Sequence, residues 1–268
     1  MPKDTSLPLQ DKVAIVTGAS SGIGRATAIA LAHKGAHLAL AARRANLLEE
    51  VAGEIQSYGR QALVMPTGIR NPSQVKALVE CTIRHFGRVD ILVANAGVYV
   101  RSPAQEITAE IIENAMQANF YAGVYAILAV LPSMLAQRSG QIVVVTSVDG
   151  RKGMPLDAPY ASAKFALTGF AEVLRQEVRD KGIYVSTILP GRVDTPMIDG
   201  LRVPRVSAKI PAQAVAEAIV KAILKRKPEM FVPSSGRLLV FVNTLSPRLA
   251  DWFVRRFRLE GQPEERPQ

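Results

Sequence analysis

Short apolar runs alternate with longer segments of helical period along most of the chain. The runs are nearly continuous, as in KVAIVT at 12–17 and DILVAN at 90–95. Continuous runs are typical of strands that helices cover on both faces, whereas a strand with one solvated face alternates between apolar and polar residues. We predict strands at 12–17, 36–42, 61–66, 90–95, 140–147, 184–190 and 229–233.

Helical periodicity fills the spaces between these runs. Pro72 and Pro159 stand early in two of the segments, where a proline costs no backbone hydrogen bond. This alternation is typical of repeated βα units and predicts an α/β fold with a parallel sheet. We predict helices at 22–34, 44–57, 72–86, 108–138, 158–181 and 211–226.

The chain length favours one domain. Its 268 residues are 48% hydrophobic, which is enough for a single large α/β domain over 1–268. The polar N-terminal residues lack the apolar core of a signal peptide, and no run reaches about eighteen uninterrupted apolar residues. We therefore expect a cytoplasmic protein that does not span a membrane. Cys81, the single cysteine, offers neither a disulfide nor a metal site, so no metal is expected.

The positive charge is concentrated near the C-terminus. Of the net charge of +10, residues 201–268 carry 13 Lys and Arg against 6 Asp and Glu, a net of +7, and residues 1–200 carry 20 against 17, a net of +3. The region 234–268 is predicted to be a basic amphipathic extension whose last ten residues fray. Its apolar stripe recurs at about one helical turn and consists of Leu249, Trp252, Phe253 and Phe257.

Three interpretations of this extension remain open. It packs over the site or against a neighbouring subunit, it makes a peripheral contact with an anionic membrane surface, or it contacts nucleic acid. Nucleic acid is not expected as the main partner, because the sequence contains no recognised reading element beside the basic tail.

A glycine-rich turn, TGASSGIG at 17–24, connects the first predicted strand to the first predicted helix. Glycines allow the tight turn and let the helix lie close to the strand. The helix N-terminus then faces a crevice in which backbone N–H groups and the helix dipole can hold a pyrophosphate. The residues that we assign to this dinucleotide site are Gly18, Ser20, Ser21, Gly22, Ile23 and Gly24.

The end of the second strand indicates which dinucleotide is preferred. Position 42 is alanine, and Arg43 and Arg44 follow it. An acidic residue there would bind the ribose hydroxyls, whereas a guanidinium can bind a 2′-phosphate through two parallel hydrogen bonds. We predict NADPH over NADH. The alternative is that both arginines only begin a solvated helix face.

NAG at 95–97, Asn119, Ser147 and YASAK at 160–164 follow the glycine turn in order. With these motifs the sequence resembles the short-chain dehydrogenase/reductase family over about 10–233. The resemblance implies a single doubly wound Rossmann-type domain, a seven-stranded parallel sheet with helices on both faces. Family members usually form dimers or tetramers, so a homodimer or homotetramer is expected.

The resemblance also implies further cofactor contacts. The NAG motif would line the adenosine side, and PGRVDTP at 190–196 would lie beside the nicotinamide carboxamide. One departure is Gly68, which replaces an aspartate that commonly contacts adenine, so that only the backbone of Ile69 is available there. The residues assigned to the cofactor in this way are Ile69, Asn95, Ala96, Gly97, Pro190, Gly191, Val193 and Thr195.

Tyr160 and Lys164 are four residues apart and therefore share one face of a helix. A phenol has a pKa of about 10, and a neighbouring ammonium is expected to lower it, so that Tyr160 can act as a general acid/base. The resemblance implies that Ser147 hydrogen-bonds the substrate oxygen and that Lys164 holds the nicotinamide ribose. It also implies that Asn119 supports a water chain to Lys164.

The predicted function is that of an NADPH-dependent carbonyl reductase or alcohol dehydrogenase acting on a hydrophobic ketone, aldehyde or secondary alcohol. The alternative is a non-catalytic NADP(H)-binding sensor or scaffold on the same fold. In related enzymes a lid occupies the place of residues 192–210, here called the lid segment. Apolar residues predicted to line the substrate pocket, with Arg151 and Lys152 near its mouth, are Met154, Pro155, Leu156, Met197, Ile198, Leu201 and Val203.

Overall fold

The seven apolar runs form one parallel sheet in a computed structural model, which describes residues 7–263. All seven predicted strands are present, and their ends differ from the predicted ones by at most two residues. Their order across the sheet is β3-β2-β1-β4-β5-β6-β7. The strands are β1 Val13–Thr17, β2 His37–Ala42, β3 Ala62–Pro66, β4 Ile91–Ala94, β5 Gly140–Val145, β6 Ile183–Pro190 and β7 Glu229–Val232.

This strand order creates a topological switch between β1 and β4. The chain builds the sheet outward in one direction from β1 to β3, then returns to the centre and builds it in the other direction. Connections on the two sides of the switch diverge, which opens a crevice at the carboxyl ends of the strands.

Helices cover both faces of the sheet. Asn71 begins the third helix by accepting hydrogen bonds from the backbone N–H groups of Ser73 and Gln74. The helices are α1 Gly22–His33, α2 Ala45–Ser57, α3 Pro72–Phe86, α4 Ala109–Met116, α5 Ala122–Gln137, α6 Ala158–Val178, α7 Ala212–Lys225, α8 Gly236–Leu245 and α9 Pro247–Arg256.

The two helical layers bury opposite faces of each strand. In β1, Ala14 and Val16 belong to the core beneath α1, α2 and α7, and Ile15 belongs to the core beneath α3, α5 and α6. Full burial of a large aliphatic side chain contributes about 1.5–3 kcal/mol, so both faces of the sheet stabilise the fold. Burial on two faces also explains why the strand runs in the sequence do not alternate.

The segment predicted as one helix over 108–138 is interrupted. Gln117–Tyr121 forms a π-helical turn between α4 and α5, in which the backbone N–H of Ala122 donates to the Gln117 carbonyl oxygen. By length and composition, Ala109–Gln137 is apolar enough to cross a membrane, since an 18-residue window within it has a mean hydropathy of 1.5. In the fold, however, α5 packs against β4 and β5 as a layer helix.

The C-terminal extension folds into α8 and α9 and then returns to the body of the protein. Gln262–Pro263 pairs antiparallel with Leu201–Arg202 of the lid segment. The expectation that residues 259–268 fray is therefore wrong for residues 259–263, because main-chain hydrogen bonds hold them. Residues 264–268 lie outside the described part of the chain.

The close contact of α1 with the glycine turn gives a test with a matched control. A Cβ added to Gly24 would lie 2.1 Å from the Gly18 carbonyl oxygen, whereas a Cβ on Gly53 of α2 would meet no atom within 4 Å. Gly24→Ala should lower the free energy of unfolding by about 1–3 kcal/mol because the helix must move away. Gly53→Ala should raise it by about 0.5–1 kcal/mol because alanine favours the helix. Urea unfolding of both variants measures these changes in the free energy of unfolding. Equal changes in the two variants would contradict the predicted clash at Gly24.

Candidate active site

A cleft of about 500 Å³ opens at the carboxyl ends of the central strands. It brings together most of the residues that the sequence assigned to cofactor or catalysis. The predicted residues that line it are Gly18, Ser20, Ser21, Gly22, Ile23, Arg43, Arg44, Ile69, Asn95, Ala96, Gly97, Asn119, Tyr160, Lys164 and Thr195.

Five predicted residues are not part of this lining. Gly24 packs under the glycine turn, and Ser147 is buried at the end of β5. Pro190 ends β6, Gly191 donates its N–H to the Val232 carbonyl oxygen at 2.8 Å, and Val193 is buried. Within the segment at 190–196, the carboxyl half therefore faces the cleft and the first half fixes that segment to β7.

The first turn of α1 is free of a side-chain cap. Ser21 occupies the N-cap position without bonding to the helix N–H groups, in contrast to Asn71 and Thr108, which cap α3 and α4. Gly22 also faces the cleft beside Thr195, and a Cβ on it would lie 2.9 Å from Thr195 Cγ2. Uncapped N–H groups at a helix N-terminus are suited to hold a phosphate, so this turn fits a pyrophosphate.

Thr17 and Asn95 lock the two strands that flank the switch. Thr17 Oγ1 accepts the backbone N–H groups of Asn95 at 3.0 Å and Ala96 at 3.1 Å. The Asn95 side-chain amide donates to the Thr17 carbonyl oxygen at 3.0 Å. These bonds hold the glycine turn and the NAG segment at a fixed separation across the cleft.

Arginines cluster at the end of the cleft below β2 and β3. Arg44 donates to Ser20 Oγ at 3.1 Å and Ser21 Oγ at 2.9 Å, so it lies beside the glycine turn, and Arg43 is exposed next to it. Arg70 lines the same end of the cleft. It was not predicted from the sequence, although it follows the carboxyl end of β3 just as Arg43 and Arg44 follow that of β2. Within residues 7–263, no acidic side chain lines the cleft.

Gly68, the departure noted in the sequence, lines this end as well. Its backbone N–H donates to Gln74 Oε1 at 2.6 Å. This hydrogen bond to Gln74 therefore already uses the backbone donor of Gly68. Ile69 also lines the cleft.

Tyr160 and Lys164 lie on one face of α6, and both are buried. Lys164 Nζ donates to the Val145 carbonyl oxygen at 3.1 Å and lies 5.6 Å from the centre of the Tyr160 ring. Burial lowers the pKa of Lys164 to about 8, because the interior disfavours the ammonium.

The pKa of Tyr160 is raised and not lowered, which corrects the expectation from the sequence. Burial is the largest cause and the Asp149 carboxylate the next, while Ser147 acts in the opposite direction. The ammonium of Lys164, directed at a carbonyl oxygen of β5, does not offset these effects. The phenol therefore keeps its proton over the neutral range and can donate it.

Asn119 lies in the π-helical turn and is fully buried. Its side-chain amide donates to the Ala115 carbonyl oxygen at 3.1 Å, and its Oδ1 accepts the Val98 N–H at 3.0 Å. The π-turn thus ties the α4–α5 connection to the segment after the NAG motif.

A polar cluster that the sequence did not predict lies on the other side of Tyr160. Tyr99 meets the Tyr160 ring edge-on at 5.1 Å, and its hydroxyl donates to the buried Asp157 carboxylate at 2.8 Å. Arg101 Nε bonds the same carboxylate at 3.1 Å. Arg101 Nη2 also donates to the Glu260 carbonyl oxygen at 2.9 Å, which joins the C-terminal segment to the cluster.

Arg151 and Lys152, which the sequence placed near the mouth of the substrate pocket, both pair with carboxylates. Arg151 bridges Glu172 at 3.1 Å and Glu229 at 2.9 Å, which links α6 to β7. Lys152 bonds Asp251 of α9 at 2.6 Å and so anchors the extension to the turn after β5. Both cations serve the fold because carboxylates face them.

Comparison with known proteins agrees with this geometry. Residues 12–204 match the family model described as short chain dehydrogenase. The uncharacterized oxidoreductase YxnA of Bacillus subtilis is 34% identical over 269 residues, covering 97% of this chain and 76% of the relative. The ketoacyl reductase HetN of Nostoc is 31% identical over 258 residues, covering 93% of this chain and 90% of the relative.

A solved structure supports the same assignment. An alcohol dehydrogenase from the archaeon Thermococcus sibiricus, in complex with 5-hydroxy-NADP, is 30% identical with a TM-score of 0.75, covering 83% of this chain and 96% of that chain. Residues 12–204, the range that the family model matches, include the glycine turn and the Tyr160–Lys164 face. The chain therefore belongs to the short-chain dehydrogenase/reductase family of oxidoreductases.

Proposed function

We propose that the protein is an NADPH-dependent carbonyl reductase, also able to run as an alcohol dehydrogenase, with Tyr160 as general acid/base. One observation carries the proposal: the Tyr160 phenol, the Lys164 ammonium and the uncapped N-terminus of α1 line one cleft. A site for phosphates beside a proton donor suits reduction of a carbonyl by a bound dinucleotide.

The chain's own groups bind, orient and supply a proton. The reduced nicotinamide, when bound, supplies the hydride that the carbonyl carbon receives. Tyr160 gives its proton to the carbonyl oxygen, and Ser147 positions that oxygen by a hydrogen bond. Lys164 would hold the cofactor ribose. A water chain supported by Asn119 would bring a proton to Lys164, from which Tyr160 is reprotonated.

The electrostatics favour reduction over oxidation. A phenol whose pKa is raised remains protonated and can protonate an oxygen that gains negative charge. Oxidation of an alcohol needs the phenolate, which burial and the Asp149 carboxylate disfavour. We infer that carbonyl reduction is the faster direction near neutral pH.

The preference for NADPH rests on charge. Arg43, Arg44 and Arg70 stand at one end of the cleft, and the part of its lining described by the structure includes no carboxylate. A 2′-phosphate gains charge-assisted hydrogen bonds from guanidinium groups, whereas NADH offers only hydroxyls there. The Thermococcus relative was solved with an NADP derivative, which is consistent with this choice.

The substrate that we infer is a carbonyl compound with an apolar body. Val98, Pro196 and Met197 line the cleft beside Tyr160, and Met197 is exposed enough to adjust to a ligand. One relative is named a ketoacyl reductase and another an alcohol dehydrogenase, so 3-oxoacyl thioesters, ketones and aldehydes are the first compounds to assay.

A homodimer or homotetramer is the assembly that we infer. α5 and α6 expose large apolar side chains that one copy alone leaves in water: Leu128, Leu135, Phe165 and Val173. Apolar side chains on such helix faces are removed from water when a second copy of the chain packs against them. Size-exclusion chromatography with light scattering measures the assembly.

We also propose that the protein is cytoplasmic and contacts an anionic membrane surface through its extension. α9 docks through Ala250 and Val254, which leaves the predicted apolar stripe largely exposed. Leu238, Phe241 and Leu245 of α8 are 66%, 58% and 71% exposed. Residues 234–258 contain five arginines and one aspartate, so two copies would repel across this face and anionic lipid would attract it.

A non-catalytic sensor on the same fold is the competing function. A sensor needs the dinucleotide cleft but has no use for a buried phenol beside a buried ammonium. Oxidation of NADPH in the presence of the carbonyl panel separates the two: turnover supports the enzyme, and tight NADPH binding with no turnover for any class supports the sensor.

Tyr160→Phe removes the proton donor with little change of volume. We expect kcat for carbonyl reduction to fall by at least about 10²-fold, since general acid catalysis contributes about 10²–10⁴-fold. The dissociation constant of NADPH should stay within a few-fold of wild type. Tyr125→Phe on α5, a partly exposed phenol away from the cleft, is the matched control. Retention of most turnover by Tyr160→Phe would refute the assignment.

Arg44→Ala tests the cofactor preference. Loss of a guanidinium that faces a 2′-phosphate should weaken NADPH binding about tenfold or more, or about 1.4 kcal/mol. NADH binding should change little and serves as the internal control. Titration calorimetry without a carbonyl substrate gives both constants. A wild-type protein that binds NADH more tightly than NADPH would contradict the proposal.

Replacing Leu238, Phe241 and Leu245 together by serine tests the membrane contact in the full chain. Wild type should sediment with vesicles that contain phosphatidylserine, stay in solution with neutral vesicles, and dissociate as salt rises. The triple variant should stay in solution with both. Leu224→Ser at the end of α7, an exposed apolar residue outside both proposed faces, should sediment like wild type. If the triple variant instead changes only the oligomeric state, the face is an interface between copies.

A further inference from the structure

Asp149 contacts the serine of the proposed site through two hydrogen bonds. Its backbone N–H donates to Ser147 Oγ at 3.0 Å, and Ser147 Oγ donates to Asp149 Oδ2 at 3.1 Å. Both residues belong to the short turn that follows β5, with Ser147 as its N-cap. Within residues 7–263, Ser147 is the one side chain that hydrogen-bonds this carboxylate.

A serine hydroxyl has one proton to give. In carbonyl reduction that proton must point at the substrate oxygen, but an ionised carboxylate is a stronger acceptor than a neutral carbonyl. An ionised Asp149 therefore retains the Ser147 proton. A neutral Asp149 donates its own proton to Ser147 Oγ and leaves the hydroxyl free to turn toward the substrate.

Several charged groups face Asp149 from the elements packed around it. Asp157, at the start of α6, opposes its ionisation, while Arg101 and Arg192 favour ionisation from across the cluster. The Tyr160 phenol also faces it. Burial is the largest influence and raises the pKa of Asp149 to about 7, so both forms are populated near neutral pH.

We propose that Asp149 is a positioning residue that directs the Ser147 hydroxyl, holding it away from the substrate when ionised and releasing it when neutral. The proposal rests on the proposed carbonyl reduction, in which Ser147 binds the substrate oxygen. No proton passes from Asp149 to the product: the proton that forms the alcohol comes from Tyr160, and Asp149 keeps its own.

The consequence is a pH dependence of reduction. Below neutral pH Asp149 is protonated and Ser147 is available; above it the carboxylate holds the Ser147 proton and its charge opposes the developing negative charge on the substrate oxygen. Carbonyl reduction by the wild type should fall about twentyfold in kcat/KM from pH 6 to pH 8, about tenfold from the ionisation of Asp149 and about twofold from that of Lys164.

Asp149→Asn keeps the shape of the neutral acid and removes the ionisation. Over the same pH range its kcat/KM should change no more than about threefold, with the remaining change due to Lys164. Asp149→Ala, which has no acceptor for Ser147, should be equally flat. NADPH binding should not change in either variant. Asp180→Asn, an exposed carboxylate at the far end of α6, should keep the wild-type profile. A wild-type slope in both Asp149 variants would overturn the proposal.

A second readout does not depend on turnover. The carbon-13 NMR signal of the Asp149 carboxyl, followed against pH, should titrate near neutral in wild type and at higher pH in Ser147→Ala, because the hydrogen bond from Ser147 favours the ionised form. An unchanged midpoint refutes the role of Asp149. A protein that reduces no carbonyl yet shows the displaced midpoint refutes the proposed reaction and leaves the Asp149–Ser147 contact intact.

Discussion

The whole arrangement depends on the burial of both faces of a parallel sheet. Buried strands are apolar, so the polar residues that can bind or react follow the carboxyl ends of the strands. In a parallel sheet all of these carboxyl ends lie on the same side of the sheet. Thr17, Asn95 and Ser147 come from three different strand ends that this constraint brings together. The switch between β1 and β4 then opens that side into a cleft, with the N-terminus of α1 facing it.

The same burial sets the acid–base chemistry. Transfer of an ionisable group from water to the interior disfavours its charged form, so a buried phenol resists ionisation and a buried ammonium loses its proton more readily. Both effects are present at Tyr160 and Lys164, and here desolvation outweighs the attraction between them. An ionised Asp149 raises the pKa of the Tyr160 phenol further. These effects together keep the proton on the phenol near neutral pH.

The sequence predicted the elements well because their signals are local. Strand runs, proline positions and the glycine turn each depend on neighbours in the chain, and the α/β fold follows from their alternation. The π-turn at Gln117–Tyr121 was not predicted, because no proline or glycine within it marks an interruption of the helical run. The side chains that line most of the cleft could be placed because they follow strand ends.

The contacts that could not be predicted are those between distant parts of the chain. Asp157 meets Tyr99 and Arg101 only because the segment after β4 crosses the start of α6. The pKa of Tyr160 was expected to fall because sequence spacing shows the lysine but neither the depth of burial nor the carboxylate at position 149. Spacing within one helix reports on neighbours along that helix, whereas a pKa depends on every charge and every lost water around the group.

The C-terminal extension shows how contacts between distant parts of the chain connect the surface helices α8 and α9 to the residues around the cleft. Lys152 ties α9 to the turn that carries Ser147 and Asp149, while Gln262–Pro263 pairs with the lid segment. Arg192 at the base of that segment donates to the Leu259 carbonyl oxygen. Side-chain and main-chain contacts therefore join α8 and α9 to the turn after β5 on one side and to the lid segment on the other.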